Sequence, residues 1–239
     1  MSFVRMTTEM ISGWKMRSIF LAFVLTWGTS AFAQNNDGLD NSLRELVPDG
    51  YFVTETIYGD LNKDSQEDVV LIIKGTDPNK VIVDKFRGEV DLNRRGIVVA
   101  LRNQQKYELV IENLNCFYSE EEDGGVYFVP DIYTKIEKGN LYVLFAHGRY
   151  GHWRYNFRYQ GADFELIGYD KSANRGPTVE VVTSINYLTK KMLVKKNINS
   201  HEEHADPIFK ESWTSFTLDN RFKLSEINDF SEFGDGLRE

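Results

Sequence analysis

The stretch "GHWRYNFRYQGADFELIGYD", residues 151–170, decides the fold. Between His152 and Gln160 aromatic residues alternate with polar ones, which is the period of a β-strand with one buried face. Gly161 and Ala162 then form a candidate two-residue turn of type II′, which favours glycine at its first position. An antiparallel hairpin closed by this turn pairs chemically compatible residues, namely Tyr159 with Phe164, Arg158 with Glu165 and Phe157 with Leu166.

Further strand patterns continue from this hairpin in both directions. Upstream, "NLYVLFA" (residues 140–146) returns antiparallel to it through the glycines of residues 148–151. Downstream, residues 178–197 predict another hairpin and residues 210–218 a last strand. The second half of the chain is therefore expected to be a series of antiparallel strands.

The first half of the chain also contains a series of strand patterns, and two of them predict deeper burial. The runs "DVVLIIKG" (68–75) and "RGIVVALRN" (95–103) are continuously apolar, which indicates strands buried on both faces. Weaker strand patterns cover residues 51–59, 81–83 and 106–113.

Short helices are expected near both ends, over residues 41–48, stopped by Pro48, and over residues 224–230. With eight to ten short strands and no alternation of strands with helices, the sequence predicts a mainly β protein. Its antiparallel sheet folds as a sandwich or partial barrel, with short N- and C-terminal helices.

The N-terminus has the layout of a secretory signal peptide. Lys15 and Arg17 precede the short apolar core of residues 18–27, and small residues precede a cleavage site after Ala33. The apolar core is shorter than the ~20 residues of a membrane-spanning helix. We expect residues 1–33 to be removed.

The expected initiator is Met16, because Arg17 directly after it gives a more ordinary charged start. Residues 34–41 are then a mobile lead-in to a single β-rich domain, residues 42–239. The predicted location is periplasmic or secreted, with no membrane span after cleavage.

Charge and cysteine content exclude several classes of protein. Loss of residues 1–33 removes three cations and one anion and changes the formal net charge from −8 to −10, so a nucleic-acid partner is not expected. Cys116 is the sole cysteine of the chain, which excludes an internal disulfide, and a lone cysteine of this kind is typically buried and inert.

The sharpest chemical signal is the loop "GDLNKDSQED", residues 59–68. Counted from Asp60, it offers oxygens at positions 1, 3, 5, 7 and 9, a spacing that wraps a calcium ion: Asp60, Asn62, Asp64, the Gln66 carbonyl and Asp68. An EF-hand is excluded because position 12 is Leu71, which lies inside the next predicted strand.

These residues resemble the loops of integrin-type FG-GAP and VCBS repeats, in which "D-x-[DN]-x-D-G-x-x-D" joins two strands and holds calcium. The resemblance covers about twenty residues and implies a calcium ion on Asp60, Asn62, Asp64 and Asp68. Ser65 stands where the family has glycine, so it would have to adopt a left-handed backbone. The alternative is an Asx-rich turn that caps two strands without a cation. More broadly, residues 151–170 resemble exported proteins of Gram-negative bacteria, which implies a location and no activity.

A second candidate site is the glycine-rich segment "HGRYGHWR" at a hairpin tip. Binding residues often lie on loops that a rigid sheet positions, and aromatic and cationic side chains here form a candidate recognition surface for a sugar or a protein: His147, Arg149, Tyr150, His152, Trp153 and Arg154. The alternative is a glycine-shaped turn with solvated cations.

Two further motifs have ordinary interpretations beside functional ones. "HEEHADP" offers His201, His204 and Asp206 to a metal but lacks the spacing of H-E-x-x-H, which favours a polar loop. The acidic run at Glu120–Asp123 is either a solvated loop, a partner for a cation or for Arg149 and Arg154, or a source of the carboxylate pair that glycoside hydrolysis needs.

The sequence therefore favours an exported binding or structural module with a calcium loop, an unidentified protein or glycan ligand and no catalytic residues. One alternative is a small secreted hydrolase that uses residues 120–123 with His147 or His152. Another is an inhibitor of a secreted factor, with a protruding loop such as residues 146–152.

Overall fold

The structure is a computed structural model that describes residues 39–122, 128–202 and 206–236; residues 235 and 236 are described as backbone alone. The predictions of a signal peptide and of Met16 as the start fall outside the described residues, as does most of the predicted lead-in. Two α-helices, α1 (Asn41–Arg44) and α2 (Phe230–Gly236), lie near the two ends. Short 3₁₀ turns occupy Pro78–Lys80, Gly148–Tyr150 and Leu224–Glu226.

The described residues contain thirteen strands, more than the eight to ten predicted. They are β1 (Tyr51–Gly59), β2 (Asp68–Gly75), β3 (Val81–Asp84), β4 (Gly88–Asp91), β5 (Arg95–Asn103), β6 (Lys106–Phe117), β7 (Asp131–Glu137), β8 (Asn140–Ala146), β9 (Gly151–Gln160), β10 (Asp163–Arg175), β11 (Thr178–Asn186), β12 (Lys191–Asn197) and β13 (Phe209–Ser215).

The strands form two main antiparallel sheets and one small hairpin. The four-stranded sheet has the order β1-β2-β5-β6, and the seven-stranded sheet has the order β13-β12-β11-β10-β9-β8-β7. Strands β3 and β4 pair only with each other. The prediction of a mainly β, antiparallel fold with short terminal helices is confirmed, and the arrangement is consistent with a sandwich.

The main hydrophobic core lies between the two sheets. Val70, Ile97 and Val99 of the four-stranded sheet share one buried cluster with Phe145 and Phe157 of the seven-stranded sheet. We call the face of the seven-stranded sheet that contributes to this cluster its inner face and the opposite one its outer face. The other side of the four-stranded sheet packs on Leu43 and Leu46 from α1 and the turn after it, so β2 and β5 are buried on both faces, as predicted.

The predicted hairpin at residues 151–170 is confirmed pair by pair, because Tyr159 faces Phe164, Arg158 faces Glu165 and Phe157 faces Leu166. Its turn is not of type II′: Gly161 and Ala162 both have positive φ, 61° and 67°, as in a type I′ turn, whose twist also matches the flanking strands.

The C-terminal helix lies later in the chain than predicted. Residues 224–226 form a single 3₁₀ turn and α2 begins at Phe230. The side chain of Asp229 accepts hydrogen bonds from the backbone N–H and hydroxyl of Ser231, so its carboxylate caps the first turn of the helix at this position.

Candidate functional site

The outer face of the seven-stranded sheet contains an open groove of about 540 Å³. Strands β7 to β10 and the turn between β8 and β9 form it, and its lining combines aromatic, charged and small residues: Tyr133, Lys135, Tyr142, Leu144, Ala146, Gly148, Gly151, His152, Arg154 and Asp170. Because side chains alternate along each strand, every residue on these strands whose neighbours are buried in the core points into or beside the groove.

The strand register places one row of side chains across all seven strands of the outer face. The row reads Tyr133, Leu144, Arg154, Asp170, Ser184, Leu193 and Trp213. The first four line the groove and the last one is an exposed indole at the opposite edge of the sheet.

Arg154 and Asp170 are fixed at the centre of this row. Arg154 Nη2 donates to Asp170 Oδ2 at 2.7 Å, and Ser184 Oγ donates to Asp170 Oδ1 at 2.7 Å. The guanidinium also lies over the Tyr142 ring, 5.4 Å from its centroid, and Lys135 Nζ is 5.3 Å from the same centroid. Cations over an aromatic ring are attracted by its quadrupole, so the two cations and Tyr142 hold one another in place.

Tyr133 differs from Tyr142 because 56% of its surface is exposed. Its ring is available at the end of the groove where β7 forms the edge of the sheet. The groove thus offers one free aromatic face beside a hydrogen-bonded set of polar groups.

The structure separates the six predicted recognition residues into three groups. His152 and Arg154 line the groove. Trp153 points to the inner face, where its ring stacks on Phe145 with centroids 5.3 Å apart and planes at 4°.

The remaining three lie at the turn between β8 and β9. His147 Nε2 is 2.8 Å from the Phe128 carbonyl oxygen, and its ring contacts those of Tyr150 and Trp153. Arg149 is exposed on the turn itself. The turn is short, because the His147 N–H donates to the Gly151 carbonyl at 2.8 Å.

The predicted calcium loop connects β1 to β2, and its oxygens accept hydrogen bonds from its own backbone. Asp60 accepts from the N–H groups of Lys63, Asp64 and Ser65 at 2.6–3.2 Å. Asp68 is fully buried and accepts from the N–H groups of Leu61, Asn62 and Arg102 at 2.7–3.3 Å.

The middle of the loop is bonded in the same way. Asn62 Oδ1 accepts from the Asp64 N–H at 2.9 Å, while Asp64 accepts from the Asn62 amide and from the Gln66 N–H. The hydrogen bond from the Asn62 amide has the larger effect and that from the Gln66 N–H the smaller one, and both lower the pKa of Asp64 below its ordinary value. Gln66 reaches across to β5 and β6, where its Oε1 accepts from the Gln104 N–H.

Ser65 has φ 69° and Lys63 has φ 67°, so Ser65 does adopt the left-handed backbone that the family pattern requires at this position. Within the described residues, no group of three or more His, Cys, Asp or Glu side chains is arranged to hold a metal. The hydrogen bonds close the loop in the manner of the Asx-rich turn, and a calcium ion would have to share oxygens that these bonds already use.

The acidic run pairs with cations at the end of the four-stranded sheet. Glu120 forms ion pairs with Lys74 at 3.2 Å and with Arg95 at 3.1 Å. Glu121 accepts from the Asp91 N–H, and Glu122 accepts from the Ser119 N–H. Asp123 lies outside the described residues. The groove that holds His152 contains Asp170 and none of residues 119–122, so these acids and His152 do not share that groove.

The other predicted sites have simple surroundings. His201 is exposed in a turn, Asp206 is exposed, and His204 lies outside the described residues. Cys116 is fully buried, and burial raises the pKa of its thiol, so a thiolate is disfavoured in the folded state. None of the described helices is long and apolar enough to span a membrane.

Sequence reasoning missed Tyr133, Tyr142 and Asp170 as groove residues. The alternation in "DIYTKIE" and "NLYVLFA" contains the signal, since it places Tyr133 and Tyr142 on the polar face of their strands. Comparisons with protein-family models, curated proteins and solved structures found no match to this chain. The resemblance of the loop to FG-GAP and VCBS repeats stays a prediction.

Proposed function

We propose that the protein is an exported binding module that holds a glycan in the groove on the outer face of its seven-stranded sheet. The observation that carries this proposal is the exposed ring of Tyr133 beside the fixed set of Arg154, Asp170 and Ser184.

Sugars combine two surfaces that such a groove fits. Their C–H faces pack on exposed aromatic rings, and their hydroxyl groups exchange hydrogen bonds with fixed polar side chains. Because Asp170 already holds Arg154 in one geometry, little side-chain entropy is lost when a ligand binds. The open shape of the groove fits an extended chain of sugars rather than a deeply enclosed small molecule.

The test is a calorimetric titration of the purified protein with β-linked glucose, N-acetylglucosamine and α-linked glucose oligomers. We expect one class to bind saturably. Tyr133→Ala and Arg154→Gln should each weaken that binding at least about tenfold, as expected for contacts worth more than ~1.4 kcal/mol.

Trp213→Ala is the matched control, since it removes an exposed aromatic residue of the same face outside the groove and should leave the affinity unchanged. Absence of binding by every oligomer, or equal binding by all three variants, would contradict the proposal. Saturable binding of an extended peptide in place of the oligomers would redirect it to a protein ligand.

For the loop at residues 60–68 we propose a structural calcium ion. Its support is the alternate spacing of the oxygens and the left-handed backbone of Ser65. Such an ion would link the end of β1 to the start of β2. It would stabilise the protein because it would bind the folded state and not the unfolded state.

Calcium titration of chelator-treated protein tests this, followed by thermal melting with and without calcium. Saturable heat and a raised Tm, both lost in the double variant Asp60→Ala with Asp64→Ala, are expected. Glu137→Gln, an exposed carboxylate paired with Lys135 on β7, is the control. A Tm that does not respond to calcium identifies the loop as an Asx-rich turn.

A further inference from the structure

A second pocket, of about 250 Å³, opens at one end of the sandwich between the two sheets. Its floor is apolar and consists of Ile72 and Phe117 from the four-stranded sheet and Ile132 from the inner face of β7. Its mouth is polar and contains Glu55, Arg95 and Glu120. An engineered apolar cavity of about 150 Å³ holds benzene, so this pocket has room for a body of that size and a head group.

Glu55 occupies a position that would ordinarily be apolar. It lies opposite Ile72 in the pairing of β1 with β2, and Ile72 belongs to the main core. The register shifts between Val53 and Glu55, so Thr54 is the extra residue of a β-bulge. Bulges re-aim side chains and are common beside binding sites. Here the bulge turns the Glu55 carboxylate toward the pocket.

The other charges at this end of the sandwich are matched. Lys74 pairs with Asp91 at 3.0 Å and with Glu120 at 3.2 Å, and Arg95 pairs with Glu120 at 3.1 Å. Lys74 and Arg95 are themselves largely buried, with side chains 10% and 11% exposed. The two cations therefore satisfy the carboxylates of Asp91 and Glu120.

Glu55 takes no part in these ion pairs. Its carboxylate has no hydrogen bond or ion pair with any residue in the described ranges, and partial burial raises its pKa. Glu55 is exposed at the pocket mouth, so water solvates its carboxylate, which stays accessible to a ligand that brings a positive charge or a hydrogen-bond donor. This end of the sandwich therefore has three carboxylates, on Glu55, Asp91 and Glu120, and two cations to pair with them.

We propose that this pocket binds a small organic ammonium ion, with the apolar body against Ile72, Phe117 and Ile132 and the ammonium group on the Glu55 carboxylate. The site is separate from the glycan groove, which lies on the outer face of the seven-stranded sheet. An ammonium ion supplies the missing positive charge and up to three N–H donors. An anionic ligand would instead face Glu55 and Glu120 together.

The experiment compares three probes that share one body, benzylamine, benzyl alcohol and benzoate, by NMR shift titration of the purified protein at pH 7.5. We expect benzylamine to bind at least about tenfold more tightly than benzyl alcohol, with shifts at β1, β2 and β7, and benzoate not to bind. In Glu55→Gln the preference for the amine over the alcohol should disappear.

Three further measurements make the outcome decisive. Thermal melting should show Glu55→Gln folded, because the substitution removes an unpaired charge. Ile132→Trp, which fills the floor, should abolish binding of both neutral and cationic probes, while Glu137→Gln on the outer face should change nothing. The proposal is overturned if alcohol and amine bind equally, if Glu55→Gln retains the preference, or if no probe binds saturably. Loss of glycan binding has no bearing on these results.

Discussion

The two sheets of this protein use their faces differently. In β2 and β5, the central strands of the four-stranded sheet, both faces are buried, so Val98 and Leu71 toward α1 are as inaccessible as Val70 and Ile97 toward the core. In β8 to β10 of the seven-stranded sheet, inner-face residues such as Val143, Tyr155 and Tyr169 are buried to the same degree, while the outer face is mostly half-buried or exposed and contains the groove. The comparison teaches that the central strands of the first sheet serve stability on both of their faces, whereas the central strands of the second serve stability on one face and leave the other accessible for recognition.

Two leucine substitutions test this division, and the first has the largest effect that we expect. Leu71→Ala removes a fully buried side chain between the four-stranded sheet and α1, which should lower the free energy of unfolding by about 2–5 kcal/mol. Leu144→Ala makes the same chemical change on the outer face and should cost less than about 1 kcal/mol. Urea denaturation followed by circular dichroism measures both.

If the two variants lost equal stability, the outer face would be covered by something that the described residues do not include, and the division would be wrong. If Leu144→Ala instead weakened glycan binding while folding normally, the division would be sharpened, since a half-buried leucine of the outer face would then serve the ligand and not the fold.

Local sequence pattern predicted most of the strands and, for β2, β5 and β9, which faces are buried, but it did not predict β4 or β7. The period of two in residues 152–160 placed His152 and Arg154 on the polar face, and continuous apolar runs identified the doubly buried β2 and β5. The burial pattern of β1 was the hardest to predict. Its alternation of apolar and polar residues is irregular because the bulge at Thr54 shifts it by one residue.

The candidate sites could be predicted only in part because they depend on contacts between distant segments. Asp170 lies opposite Arg154 because the hairpin register shifts by one residue between Leu166 and Gly168. The register that the turn sets would place Tyr169 opposite Arg154, so this pair could not be predicted from the turn. Lys74 and Glu120 are 46 residues apart, and no local pattern relates them. Glu55 lacks a cationic partner because Lys74 and Arg95 pair with other carboxylates. These pairs form between distant segments, so the sequence alone does not predict that Glu55 is left without one.

The smallest effect that we predict concerns the junction of the four-stranded sheet with the C-terminal helix. Arg94, directly before β5, donates to Asp229 Oδ2 at 2.6 Å. Burial pushes the pKa of Asp229 up, but the hydrogen bonds from Ser231 and Arg94 outweigh it, so the pKa lies below the ordinary 3.8. A carboxyl whose pKa is lower in the folded state adds stability above its unfolded pKa and loses that contribution as the pH falls through the folded value.

Asp229→Asn should therefore lower the free energy of unfolding at pH 7 by about 1 kcal/mol, since both side chains are partly exposed and solvent screens the pair. The deficit relative to the unsubstituted protein should shrink below pH 3.8, because there the native carboxyl is protonated as well. Urea titrations at pH 7 and pH 3 measure it. An equal deficit at both values would assign the loss to the cap of α2 rather than to the charge. The contribution of Asp229 would then lie within the C-terminal helix and not in its junction with the four-stranded sheet.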